Sequence, residues 1–283
     1  DKLDIVNSYK RQGEFVAVTG DGVNDAPAIR SANIGIAMGS GTDVAKETAS
    51  MIVVDDNFTS IVAGIKEGRT AYSNIRKITL FLLSCGFAEV CFFLLSIAFG
   101  YDIPLLAIQL LWLNIVTDGI QDIALSFEKA EDSIMKDKPR DTKESLFSKD
   151  LMFEVGILGI AISAIIFITW KLLLDGGTDI GTARAIIMML MVFVQNINVL
   201  NCRSEKRSVF KESLRDNLFV PLAIVFSIGL QLVMAEVPLT ARFLSVEPLP
   251  WLTIGQIFLL SLIIILVKKR TQMDRLCKIK PAA

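Results

Sequence analysis

Six apolar segments, at about 77–99, 104–127, 151–174, 185–202, 217–236 and 251–267, constrain this chain more than any other feature. A helix needs about 20 apolar residues to cross a bilayer core of about 30 Å. Each segment comes near that length, the fourth and sixth on the short side. Together they raise the hydrophobic fraction to 52% and the mean hydropathy to +0.53, too high for an ordinary soluble domain. The net charge of -1 hides a strong segregation of charge. Lysines and arginines crowd the connectors after the second segment (Lys129 to Lys149) and the fourth (Arg203 to Arg215), and the tail from Lys268 to Lys280. The opposite connectors carry few. The positive-inside rule then places the N-terminal region, both basic connectors and the tail in the cytosol. The expectation is an integral, multi-pass membrane protein in the lipid bilayer with both ends of the chain cytosolic, in the plasma membrane if the source is prokaryotic. The basic runs read as topology signals, not as a nucleic-acid site.

Inside the second segment lies Leu110 to Asp122, LLWLNIVTDGIQD. An ionisable group at membrane depth costs about 2.5–3.5 kcal/mol on insertion scales, so a carboxylate there needs a functional reason. At 3.6 residues per turn, Asn114, Thr117, Asp118 and Gln121 share one helix face. That face offers hard oxygen ligands suited to calcium, sodium or protons. Gly119 is the position where the helix is expected to unwind and release carbonyls. The bland alternative is a polar stripe that joins helices.

Residues 1 to about 72 read as α/β. FVAV (15–18) is expected as a strand ended by TGDG, with a helix from Asn24–Asp25 carrying Pro27 in its first turn. IGIAM (34–38) and MIVV (51–54) are two further strands, with a short helix at 43–49 between them. Alternating strands and helices predict a parallel sheet, whose ligands sit at the carboxyl ends of the strands, where Asp21 falls. Residues 57–75 are expected to form an amphipathic helix that runs directly into the first apolar segment and transmits motion to it. The absence of histidine excludes a His-based triad or His-ligated zinc within this chain. Cys85, Cys91, Cys202 and Cys277 lack metal-ligand spacing and are expected as free thiols.

TGDGVNDAP (19–27) carries the sharpest chemistry. Asp21 and Asp25 bracket a glycine-rich turn at a strand end, where carboxylates hold magnesium and backbone N–H groups face a phosphate. This string, then GIAMGSGTDVAKETA, DDNF and LLWLNIVTDG, in that order, resembles the C-terminal half of a P-type cation-transporting ATPase, of the branch with calcium pumps and sodium/potassium pumps. The resemblance implies a haloacid-dehalogenase-like partial domain at 1–72, the end of the phosphorylation domain. At 73–283 it implies an all-α bundle of six transmembrane helices, the fifth to tenth of the family. The chain, which begins with Asp, is expected to be the C-terminal piece of a longer pump that phosphorylates an aspartate from ATP.

By the same resemblance Asp21 is the magnesium ligand, supported by Asn24 and Asp25, with Thr19 and Gly20 around the phosphoryl oxygens and Lys2 on the phosphate. The transported cation would meet Glu89, Asn114, Thr117, Asp118, Gln195 and Asn198. Gly86 replaces an asparagine expected in a calcium pump, and Gln195 replaces a glutamate. The phosphorylated aspartate, most of the ATP site and the first four spans belong to the missing N-terminal half. Calcium is the first choice of cargo and sodium the second. The competing readings are a passive membrane protein with a degenerate phosphatase-like domain, or a membrane-anchored phosphatase.

Overall fold

The computed structural model describes residues 2–140, 144–204 and 213–267. Lys143, Lys206, Arg207, Lys211, the basic tail and Cys277, all used above, lie outside them. The fold divides into two compact units, Asp1–Arg69 and Thr70–Ala283.

The first unit is built on a three-stranded parallel sheet of order β1-β2-β3, with β1 at Ala17–Gly20, β2 at Ile34–Met38 and β3 at Met51–Val53. Helices α1 (Lys2–Arg11), α2 (Ala26–Ser31) and α3 (Asp43–Thr48) surround it. The central strand is apolar throughout because both faces are covered. Ala37 packs with Ile29 and Ala45 on one face, and Ile36 with Val53 and Ile61 on the other. Pro27 lies in the first turn of α2, and Thr42 caps α3 by accepting from the Ala45 N–H. Two expectations change here. β1 begins two residues later than FVAV suggests, and Phe15 is exposed. The helix α1 has no apolar stripe to announce it; it is fastened through buried Val6 and a bond from the Ser31 hydroxyl to Asn7.

α4 runs unbroken from Phe58 to Ala98, 41 residues, about 60 Å at 1.5 Å per residue. The second unit continues with α5 (Ala107–Val116), α6 (Asp118–Ser126), α7 (Lys149–Asp175), α8 (Ile180–Cys202), α9 (Phe219–Glu236), α10 (Pro238–Leu244) and α11 (Trp251–Ser261). Four helices, α4, α7, α8 and α9, are long and apolar enough to cross a membrane, and a shorter apolar helical stretch spans Trp251–Val267. α8 is the centre of the unit: 89% of its most apolar window is buried, against 22–50% for the other three. An apolar helix buried on all sides is the one its neighbours pack around.

The second apolar segment is not one helix. It breaks at Thr117 (φ −106°, ψ −70°) into α5 and α6. Gly119, where unwinding was expected, lies inside α6. At the break the Thr117 hydroxyl sits 2.8 Å from the Leu113 carbonyl one turn back and 2.6 Å from Gln195 Oε1 of α8. Thr79 and Thr169 bond back in the same way inside unbroken helices, so what sets Thr117 apart is its tie to α8. α10 is a further element that the apolar pattern did not announce.

Candidate functional site

Two constellations bear on function, one in each unit. In the α/β unit, Asp21 follows directly on β1, so its carboxylate stands at the carboxyl end of the sheet. The loop around it is ordered by Asp25. Asp25 Oδ1 accepts from Lys2 Nζ at 2.7 Å, and Oδ2 accepts from the N–H groups of Asp21 and Gly22 at 3.3 Å each. The Lys2 ammonium, then the backbone N–H of Gly22, hold the Asp25 carboxyl below the usual carboxylate range. The same pair raises the Lys2 ammonium above its ordinary value. Gly20 is required by space, since a Cβ there would lie 2.5 Å from the Asp25 Cβ.

Neighbouring strand ends close the same rim. The Asp21 carbonyl accepts from the Thr42 N–H at 2.8 Å, and Asp56 accepts from the Ser40 N–H at 3.0 Å. That backbone bond keeps the Asp56 carboxyl low. Thr19 is exposed at the end of β1, and Asn24 is exposed on the 3-10 turn Val23–Asp25. Both Asp25 oxygens are therefore engaged, and Asp21 presents an exposed carboxylate. Among the described residues no group of three or more His, Cys, Asp or Glu could hold a metal by itself. A single exposed carboxylate suits magnesium, which keeps several waters and takes one or two carboxylates beside phosphate oxygens.

In the helical unit, Glu89 of α4, Thr117 at the α5–α6 break, Asp118 of α6 and Gln195 of α8 form one connected cluster. Gln195 Nε2 donates to Glu89 Oε1 at 2.9 Å. Gln195 Oε1 lies 2.6 Å from the Thr117 hydroxyl, which is also 3.5 Å from Asp118 Oδ1. Glu89, Thr117 and Gln195 are buried and Asp118 half-buried. The Thr117 hydroxyl thus has one proton and three acceptor oxygens within 3.5 Å, counting the Leu113 carbonyl. The cluster is rich in oxygen and poor in donors.

The remaining residues singled out from sequence sit apart. Asn198, one turn further along α8, donates to the Ser84 hydroxyl at 3.0 Å, and its Oδ1 is buried without a hydrogen-bond partner among the described residues. Asn114 is exposed and makes no side-chain hydrogen bond among the described residues. The common face expected for Asn114, Thr117, Asp118 and Gln121 is therefore divided: Thr117 and Gln121 are buried against α8, Asp118 is half-buried and Asn114 is exposed. Gln121 instead donates to Asn196 of α8 at 2.6 Å, and Asn196 donates to Ser227 of α9 at 2.9 Å.

A short parallel sheet with an acidic strand end precedes a helical unit in which four helices are long and apolar enough to cross a membrane. Comparison with known proteins sharpens this. The family profile described as cation transporting ATPase, C-terminus, matches residues 102–273, and that of haloacid dehalogenase-like hydrolase matches residues 3–65. A calcium-transporting ATPase of Bacillus subtilis (strain 168) is 42% identical over 239 residues, 84% of this chain and 27% of the relative. Calcium-transporting ATPase 1 of Bacillus cereus is 34% identical over 95% of this chain and 32% of its own length. An endoplasmic reticulum-type calcium-transporting ATPase 3 of Arabidopsis thaliana is 34% identical over 94% of this chain and 30% of its own. The chain belongs to the P-type cation-transporting ATPases. It spans about a third or less of the length of these relatives.

Proposed function

We propose that this chain is the C-terminal part of an ATP-driven pump that moves calcium across a membrane, with residues 1–72 completing its phosphorylation domain and 73–283 forming six spans. The observation that carries the reading is the cluster of Glu89, Thr117, Asp118 and Gln195, where buried oxygens outnumber the protons that could bond them. Two carboxylates brought together in apolar surroundings repel each other, and a cation between them offsets both the repulsion and the burial cost. The neutral oxygens of Thr117 and Gln195 add ligands without adding repulsion. Calcium takes six to eight such oxygens, and the relatives named above carry calcium in their names. Sodium is the second choice, since Gly86 and Gln195 leave fewer oxygen ligands than two calcium ions would need. Asn114 and Asn198 join the shell as the site closes around its ion.

At the other site, Asp21 would hold magnesium, which would supply charge neutralisation at a phosphoryl group. Asp25 and Lys2 keep the loop shaped so that the Asp21 carboxylate is left for that group; Asn24 and Thr19 stand on the same rim. Lys2 bonds Asp25 here, and its exposed side chain would be the one to turn to a bound phosphate. Both ends of the chain lie in the cytosol, with the connectors at 101–103, 175–183 and 237–250 outside. The test is transport itself. Sealed inverted vesicles containing the full-length protein should accumulate radioactive calcium on addition of ATP and magnesium, and release it with a calcium ionophore. Uptake of sodium with no calcium uptake would move the cargo to the second choice; uptake of neither would defeat the reading.

A further inference from the structure

α6 carries Asp118 and has only nine residues, from Asp118 to Ser126; it is held at mid-length by Gln121 on Asn196 and also at both ends. At its start, Thr117 meets Gln195 of α8. At its other end the last carbonyls have no partners within the helix, and side chains from elsewhere supply them. Asn217, just ahead of α9, donates to the Ala124 carbonyl at 2.8 Å. Asn74 of α4 donates to the carbonyls of Ser126 at 3.0 Å and Glu128 at 2.8 Å. Lys77 of α4, buried, donates in turn to Asn74 Oδ1 at 3.2 Å.

At the centre of this cap is an ion pair. Arg203 Nε lies 2.6 Å from Glu128 Oε1, with side chains 2% and 5% exposed. Arg203 Nη2 reaches Glu128 Oε2 at 3.5 Å and the Ser213 carbonyl at 3.1 Å, and Asn217 Nδ2 reaches Glu128 Oε1 at 3.2 Å. Arg203 is the C-cap of α8, where a cation also meets the negative end of the helix dipole. The three helices joined here, α4, α6 and α8, are those that carry Glu89, Asp118 and Gln195. α6 and its flanking residues thus meet α8 at three places, Gln195, Asn196 and Arg203, the first and last about two turns apart on α8.

We infer that Glu128 and Arg203 are positioning residues for the cation cluster: their buried pair fixes α6 against α4 and α8 and thereby sets how tightly Asp118, Glu89 and Gln195 hold the ion. This rests on the reading of that cluster as the transport site. Removing one partner of a buried pair leaves an uncompensated charge, whereas neutralising both is often tolerated. The positioning role therefore predicts an affinity defect in the single variant and recovery in the double.

The experiment measures the calcium concentration for half-maximal ATPase activity of the full-length pump, separately from the maximal rate. Glu128→Gln should raise it about tenfold, the size of a typical coupling between sites, with the maximal rate lowered less. Glu128→Gln combined with Arg203→Gln should return it to within about threefold of the parent. A merely structural pair would lower the amount of active pump and the maximal rate at unchanged half-activation, and that result overturns the inference. If Glu128→Gln does not accumulate in membranes, Arg203→Lys is read in the same assay. A shift of about threefold or more is then expected, and none overturns the inference. A parent pump with no calcium activation defeats the transport-site reading itself, whereas an activated parent with unshifted variants defeats only the positioning role.

Discussion

In the α/β unit Asp25 is held by an ammonium and two backbone N–H groups; in the helical unit Glu89 is held by one amide, that of Gln195. The difference follows from where backbone donors are free. A glycine-rich turn leaves its N–H groups available, so the TGDG loop can saturate one carboxylate and leave a second, Asp21, for a ligand. Inside a helix each N–H is spent on the carbonyl four residues back, so only side chains remain as donors. The carboxylates of α4 and α6 are therefore under-supplied unless a cation or a proton arrives. A loop site is shaped by its backbone, and a bundle site by side chains from separate helices.

The comparison breaks most sharply at Asp21. Asp21→Asn removes the magnesium ligand and leaves the Asp25 bonds in place, so phosphoenzyme formation in the full-length pump should fall at least about a hundredfold, since metal stabilisation of this kind is worth several kcal/mol. Phosphoenzyme near the parent level at saturating magnesium would remove Asp21 from its role.

Glycines sharpen the contrast at intermediate size. A Cβ on Gly39 would lie 2.5 Å from the Val54 carbonyl oxygen, with backbone unable to give way, whereas a Cβ on Gly229 of α9 meets nothing within 4 Å. Gly39→Ala should cost about 1–3 kcal/mol. Gly229→Ala should be neutral or stabilising by up to about 1 kcal/mol, because it removes a helix-interior glycine. Thermal inactivation midpoints of the two variants should move in opposite directions or differ clearly; equal shifts would mean that backbone approach does not distinguish the units.

The smallest effect is in pH. The depressed Asp25 carboxyl contributes stability that is present above the usual carboxylate pKa and is lost as pH falls through its lowered value. The raised Lys2 ammonium contributes stability present below the usual lysine pKa and lost as pH rises through its raised value. Lys2→Met should therefore bring the acid-side loss of stability in at higher pH. An acid limb that stays where it was would show that the pair does not order the loop.

Legibility differed with the kind of signal. β2 could be read because IGIAM is apolar on both faces and ends in glycine. β1 was displaced because FVAV looks like a strand, while the ladder pairs Thr19 with Ile36 and Gly20 with Ala37, a register that composition does not carry. The polar residues of the second apolar segment were legible from their burial cost. The break at Thr117 was not, because a threonine in an apolar run gives no sign that its hydroxyl will meet Gln195, 78 residues away. Arg203 was counted among connector charges and Glu128 not at all; their partnership spans 75 residues and exists only once α6 and α8 end side by side.

The most direct measurement of the central claim is calcium binding to the purified full-length pump with and without Asp118→Asn, in the absence of ATP. Asp118 joins Thr117 within the cluster, and its charge has no counterpart among the neutral oxygens of Thr117 and Gln195. Loss of high-affinity calcium binding in a variant that still unfolds at the parent's temperature is the predicted result. Unchanged calcium affinity in that variant would contradict the account.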